Sequence, residues 1–240
     1  MIIDLQTLER QLLPKVEKPG QYIGGELGAV IKDWAAAPAR LAFAFPDTYE
    51  LGMSHLGLRL LYDTVNAHSP HLCERVFMPE ADLAALLKVR GLPLFTLESR
   101  RSLDEFDMLG FTLQYELSYT NILAMLDLAG LPLTTAERGE AGPLIIAGGP
   151  CAYNTEPLAE IVDLFVIGEA EEALIELLDL VARVKAAGQG RSEILVQAAA
   201  LDGIYVPSFY EATYDERGNF AALRLRQEAP DTAKAVIKKR

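Results

Sequence analysis

The chain has 240 residues, half of them apolar, and a formal net charge of −12. That length and apolar content support a sizeable core and exclude wholesale disorder, while the acidic balance argues against non-specific nucleic-acid binding by this chain alone. Its longest apolar runs fall well short of the roughly 18 to 20 residues of a spanning helix, and "MIIDLQTLERQ" lacks a signal peptide's basic start and apolar run, so a cytoplasmic protein with no membrane partner is expected.

An N-terminal arm is expected over 1–39, opening on the amphipathic "LQTLERQLL" and broken by the Pro and Gly residues of "PKVEKPGQYIGGE". From Leu41 onward short apolar runs alternate with helical stretches. "LAFAF", "LCERVF", "LPLFTL", "DMLGFTL", "PLIIAGG" and "VDLFVIG" read as strands, with helices predicted at 54–68, 80–89, 117–129 and 169–187. Helical spacing in the first of these puts Leu56, Leu60, Leu61, Thr64 and Val65 on one face. "GLP" at 91–93 and again at 130–132 marks two helix ends, Gly closing the helix and Pro preventing its continuation. This alternation predicts an α/β domain over 40–190, a doubly wound parallel sheet covered on both faces.

Residues 191–240 read as a linker followed by a hairpin, "GIYVPSFYEATYDERGNFAALRLRQ", turning at "DERGN". The basic "KKR" at 238–240 reads as a solvated terminus, and "TAKAVIKKR" carries no stop signal, as if the chain continued.

In doubly wound sheets the ligand lies beyond the carboxyl ends of the strands, so the turns there carry the chemistry. Here those turns are "PDTYELGMSHLG", "QYELSYTN", "GGPCAYN" and "GEAEEA", each richer in Gly, polar or aromatic residues than a minimal connection. Gly148 and Gly149 leave room for a large flat or phosphate-bearing group, and Gly168 opens a helix whose first N–H groups can receive an acceptor. Glu169, Glu171 and Glu172 at that helix start favour dipole compensation over a bound phosphate. There is no GxGxxG and no P-loop lysine. His55 reads as a cap or packing residue, His68 and His71 of "HSPH" as a surface loop, and Cys151 as a small buried residue. Cys73 and Cys151 form no CxxC pair and supply no metal-ligand set by themselves.

"DTYELG", Asp47 to Gly52, fits the cobalamin signature DxHxxG at its Asp and Gly, with Tyr49 in the histidine's place. Together with "YELGMSHLGL", "GFTLQYELSYTNIL", "IAGGPCAYNTEPLA" and "IGEAEEA", it resembles the N-terminal cobalamin-binding-like domain of an uncharacterised radical S-adenosylmethionine (SAM) family, over about residues 10 to 240. The resemblance implies a flavodoxin-like, Rossmann-like fold of the cobalamin-binding type, with cobalamin at the carboxyl edge and its nucleotide tail threaded into the core. The cofactor contacts it implies, taken with the turns, are Asp47, Tyr49, Gly52, Met53 and Ser54, then Thr112, Leu113 and Gln114, and finally Gly148, Gly149, Pro150, Gly168 and Glu169. Thr112 and Leu113 stand near the family's SxL turn without matching its spacing, whereas Gly148 and Gly149 match its later GG.

Two departures shape the expectation. A phenol, with an ordinary pKa of about 10, is a poor neutral cobalt ligand, so the cobalamin is expected base-off without a histidine ligand, or else lost from a vestigial domain. Two isolated cysteines cannot supply the CxxxCxxC motif, so the 4Fe-4S cluster, SAM and the radical SAM barrel belong to a missing C-terminal part, in cis or as a separate chain. The chain alone is expected to hold no catalytic residue and no metal of its own. Alternative readings are a non-catalytic docking domain and a flavin- or nucleotide-binding module.

Overall fold

The computed structural model describes residues 1–140 and 142–238. After a short helix α1 (Leu5–Thr7), which continues as a π turn over Leu8–Leu12, the chain runs β1 (Arg40–Phe45), α2 (Tyr49–Ser54), α3 (Leu56–His68), β2 (Leu72–Phe77), α4 (Ala81–Arg90) and β3 (Met108–Thr112). It then runs α5 (Tyr119–Leu128), β4 (Leu144–Gly148), β5 (Leu164–Val166), α6 (Glu171–Ala186), α7 (Arg191–Ala198), β6 (Ile204–Tyr205), β7 (Tyr210–Tyr214) and β8 (Phe220–Leu225). Gly91 ends α4 in the left-handed region at φ 61°, and Gly130 follows α5 at φ 69°, the two "GLP" stops read from the sequence.

The main sheet has the order β2-β1-β3-β4-β5-β6. Its first five strands are parallel, and β6 closes the far edge antiparallel to β5. This is a Rossmann-like α/β fold whose parallel strands follow 2-1-3-4-5, one of the two common doubly wound orders. Period-two alternation divides each strand between two cores. In β1, Leu41, Phe43 and Phe45 join α3, α6 and α7, whereas Ala42 and Ala44 join α4, α5 and the N-terminal arm.

The arm is built into this fold. Ile3, Leu8 and Leu12 are buried in the second core, the Ile3 N–H donates to Arg100 O at 2.9 Å, and Trp34 meets Phe106 edge-on at 5.0 Å. "LPLFTL" is extended without becoming a sheet strand and forms only the isolated bridge Phe95 to Ser102. Pro93 has no N–H to donate, and the Leu94, Thr96 and Leu97 N–H groups go to Leu128, Arg101 and Arg75 carbonyls, so the segment covers the edge beyond β2 instead of pairing along it.

Past residue 190 the stretch read as a linker holds α7 and β6, and the strand expected from Ile204 is divided: β6 joins the main sheet while β7 pairs with β8. Gly218, at φ 79°, makes the "DERGN" turn. His71 is 1% exposed, with Nε2 3.0 Å from Asp179 Oδ1, which corrects its placement on a surface loop. His68, the last residue of α3, and Pro70 stay exposed, while Lys32 Nζ donates to the Ser69 and His71 carbonyls at 2.9 and 2.6 Å. Of "KKR", Lys239 and Arg240 lie outside the described residues. No helix among the described residues is long and apolar enough to cross a membrane.

Candidate functional site

A cleft of about 230 Å³ opens at the carboxyl edge of the sheet, on the side of α3 and α6. Its floor is Phe43, Ile146, Val166 and Leu174, all buried, and backbone at Gly110, Gly148 and Gly149 forms much of its wall. The glycines let this wall pack closely. Gly149 sits at φ +113°, and a Cβ there would stand 2.8 Å from Leu113 O; a Cβ on Gly110 would meet Leu41 Cδ1 at 3.3 Å and Ile146 Cγ1 at 3.4 Å.

Helix α3 buries a different face from the one its apolar periodicity predicts. The residues it buries are Leu58, Tyr62, Val65 and Asn66, so Leu56 and Leu60 stay exposed, and Leu60 and Leu61 line the cleft. Apolar residues left off the packed face were the signal for a binding surface. His55 is the N-cap of α3: its Nδ1 accepts from the Leu58 N–H at 3.1 Å, so the neutral ring carries its proton on Nε2. In that tautomer His55 offers the cleft a donor, not a metal ligand. Gly57 leaves room for the ring, since a Cβ there would lie 2.9 Å from His55 Cε1 and push the imidazole aside.

The residues singled out from the sequence separate into two groups. Thr112, Gln114, Gly148, Gly149, Gly168 and Glu169 line the cleft together. Leu113 ties its wall, its N–H donating to Gly148 O at 2.7 Å and its carbonyl accepting from Cys151 N at 3.1 Å, while Pro150 starts the 3-10 turn that follows. Asp47, Tyr49, Gly52, Met53 and Ser54 are not part of the lining.

The first turn is engaged elsewhere. Tyr49 donates to Glu26 Oε1 of the arm at 3.2 Å and packs edge-on against Phe77 at 5.4 Å. Burial, then the Glu26 carboxylate, holds its phenol above the ordinary tyrosine value, which keeps it neutral. Glu26 also accepts from Arg75, whose guanidinium pairs with Glu98 at 2.7 Å and lies over the Tyr62 ring. Met53 Sδ is 3.3 Å from Arg75 Nη1, and Ser54 donates to Leu51 O at 2.8 Å. Asp47 accepts from Tyr115, and Asn121 donates to Pro46 O at 2.9 Å, so side chains bridge the switch point between β1 and β3.

Sequence reasoning missed Phe43, Leu174, Gly57 and Gly110; only the last two had a signal, glycine where a helix or strand would tolerate a side chain. Cys151 is half-buried with its thiol pushed up, by burial first and Glu116 second, opposite to what a nucleophile needs. Among the described residues no group of three or more His, Cys, Asp or Glu is placed to hold a metal ion. Around the cleft mouth and the neighbouring loops, Leu51, Leu56, Tyr115, Leu117 and Tyr153 are exposed.

A family model described as radical SAM proteins, N-terminal, matches residues 57–207. The chain belongs to that family. The match begins at the second residue of α3 and ends just past β6, so it takes in the cleft's second, third and fourth turns and leaves "DTYELG" outside. The chain is also 26% identical over 132 residues to the uncharacterized protein MJ0966 of Methanocaldococcus jannaschii, an alignment covering 55% of this chain and 24% of that protein. The chain thus spans about a quarter of its curated relative's length. No solved structure matches it.

Proposed function

We propose that this chain is the cofactor-binding module of a radical SAM enzyme and that cobalamin is its cofactor, with the nucleotide tail in the cleft between α3 and α6. The observation that carries the reading is the apolar, glycine-walled cleft at the carboxyl edge of a radical SAM N-terminal domain. Its size and lining suit a slender flat group, and a corrin ring would lie outside it, against the exposed apolar side chains of the edge. Gly148 and Gly149 would admit the tail, and Thr112, Gln114 and His55 would orient it. Bound cobalamin would supply a transferable methyl group or assist a radical step. Tyr49, a neutral phenol tied to Glu26, leaves the cobalt without a protein ligand in this reading.

Absorbance titration of the chain with hydroxocobalamin and methylcobalamin tests it. A saturable change to a base-off spectrum is expected, unaltered in kind by Tyr49→Phe. No saturable change in either the chain or its full-length form overturns the proposal.

The same edge favours a second reading, a docking surface for the radical SAM barrel, because Leu51, Leu56, Tyr115, Leu117 and Tyr153 are all exposed on its loops. In that case a Leu117→Glu variant loses association with the barrel-bearing part and keeps its corrinoid titration.

A further inference from the structure

A second cavity, of about 320 Å³, lies at the opposite edge of the sheet from the cleft, where β4 and β5 begin. Its lining includes Arg138 and Arg191, whose side chains are 1% and 8% exposed, and Asp163, whose side chain is wholly buried. Both guanidiniums bond the same Asp163 Oδ1, and Asp163 Oδ2 accepts from the Ile145 N–H at 2.7 Å. Two buried cations therefore share one buried anion. The Nη groups of Arg138 are taken by Asp163 and the carbonyls of Pro132, Leu133 and Ile161, but the Nε of both arginines is buried without a partner. Arg191 Nη1 donates to Arg138 O at 3.1 Å and to Gly139 O, whereas its Nη2 bonds Asp163 alone and keeps a further N–H. A surplus of buried positive charge with unpaired donors calls for an anion.

The side chain that answers this surplus is Glu140. Its exposed carboxylate lines the cavity and accepts from the Ser192 N–H at 3.1 Å and from the Ser192 hydroxyl, in the first turn of α7. Those bonds hold the carboxyl below its ordinary value, so it is charged. Glu137, the other carboxylate near Arg138, is tied to the Thr134 hydroxyl at 2.8 Å. We infer that this cavity is an oxyanion site for a phosphoryl group, with Glu140 as the chain's own stand-in for the ligand. Thr135 and Ser208 add hydroxyls to the lining, and donors drawn from three separate segments suit an anion with several oxygens. An incoming phosphate meets like charge at Glu140, so it binds by displacing that side chain from Ser192. The site does not rest on the cobalamin reading, since none of its residues lines the cleft.

Isothermal titration calorimetry at constant ionic strength, with inorganic phosphate and adenosine 5′-monophosphate as probes, tests it. Saturable phosphate binding is expected, tightened about fivefold in Glu140→Gln, which removes the competing charge at nearly constant size, and weakened about tenfold in Arg191→Lys. Circular dichroism reports whether Arg191→Lys folds. Ser208→Ala leaves the buried charges intact and should weaken binding about threefold, which keeps the test open if the arginine variant does not fold. Tighter binding of the nucleotide assigns the phosphoryl group to a nucleotide, and tighter binding of phosphate assigns it to the free ion; either result supports the site. No saturable binding of either probe to folded Glu140→Gln, or equal phosphate affinity in Glu140→Gln and the wild type, overturns it. Phosphate at saturation should leave the hydroxocobalamin titration unchanged, so failure of either ligand to bind leaves the other reading standing.

Discussion

A Cβ on Gly52 would stand 2.2 Å from Cε1 of Phe77 and 3.1 Å from Cγ of Phe45, and the Phe77 ring also meets Tyr49 edge-on. This glycine therefore serves the packing of α2 on the end of the sheet. Gly52→Ala is expected to destabilise the chain by about 1–3 kcal/mol, the usual range for overpacking, as read from urea unfolding midpoints. The titration with hydroxocobalamin should be little changed, because Gly52 does not line the cleft. The sequence shows only that it falls on the glycine of a DxHxxG pattern; its contacts depend on where β2 brings Phe77. Gly149 is the converse case. A doubled glycine after a strand reads locally as room for a ligand, and its φ of +113° against the Leu113 carbonyl explains why the wall needs it.

Among the elements, the N-terminal arm differs most from an appended tail. Leu8 and Leu12 are buried among residues of α4 and α5, on the opposite face of the sheet from the cleft. Leu12→Ala should cost about 2–5 kcal/mol, the range for a buried Leu, as measured by thermal or urea unfolding. Because the cleft lies on the other face, corrinoid affinity of the folded fraction should stay within about twofold, less than the 1.4 kcal/mol that makes a factor of ten. Alternating strand runs, glycine stops and the "DERGN" hairpin were legible because they are set by local periodicity and turn chemistry. Helix α7, "RSEILVQA", was not: half-polar and short, it buries Arg191, Ile194 and Ala198 without a clear apolar stripe. Arg191 is drawn inward by Asp163, which also accepts from Arg138 at 3.0 Å and from the Ile145 N–H at 2.7 Å, a partnership made by residues far apart in the chain.

For the molecule as a whole, buried phenols couple packing to pH. Burial pushes Tyr22 up to about 12 and raises Tyr62 and Tyr205 further, and two of these hydroxyls anchor the arm, Tyr22 to the Glu80 N–H and Tyr62 to the Val30 N–H. Each folded value lies above the ordinary tyrosine value of about 10, so the stabilisation is complete below pH about 10 and is lost as pH rises through the folded values. A tyrosinate absorbance titration should therefore show these protons released together with loss of helical circular dichroism. Full ionisation with the helical signal intact would contradict the burial. The sequence by itself determined the class of the fold, the positions of its five parallel strands and main helices, and three of the four turns that meet at the cleft, because periodicity and turn residues are local properties. Tertiary structure alone decided that β6 reverses at the sheet edge, that residues 92–97 cover β2 instead of pairing in the sheet, and that α3 turns Leu60 and Leu61 toward a cleft. Each of these depends on which distant groups satisfy a backbone donor or fill a space, and that is settled only when the whole chain is packed.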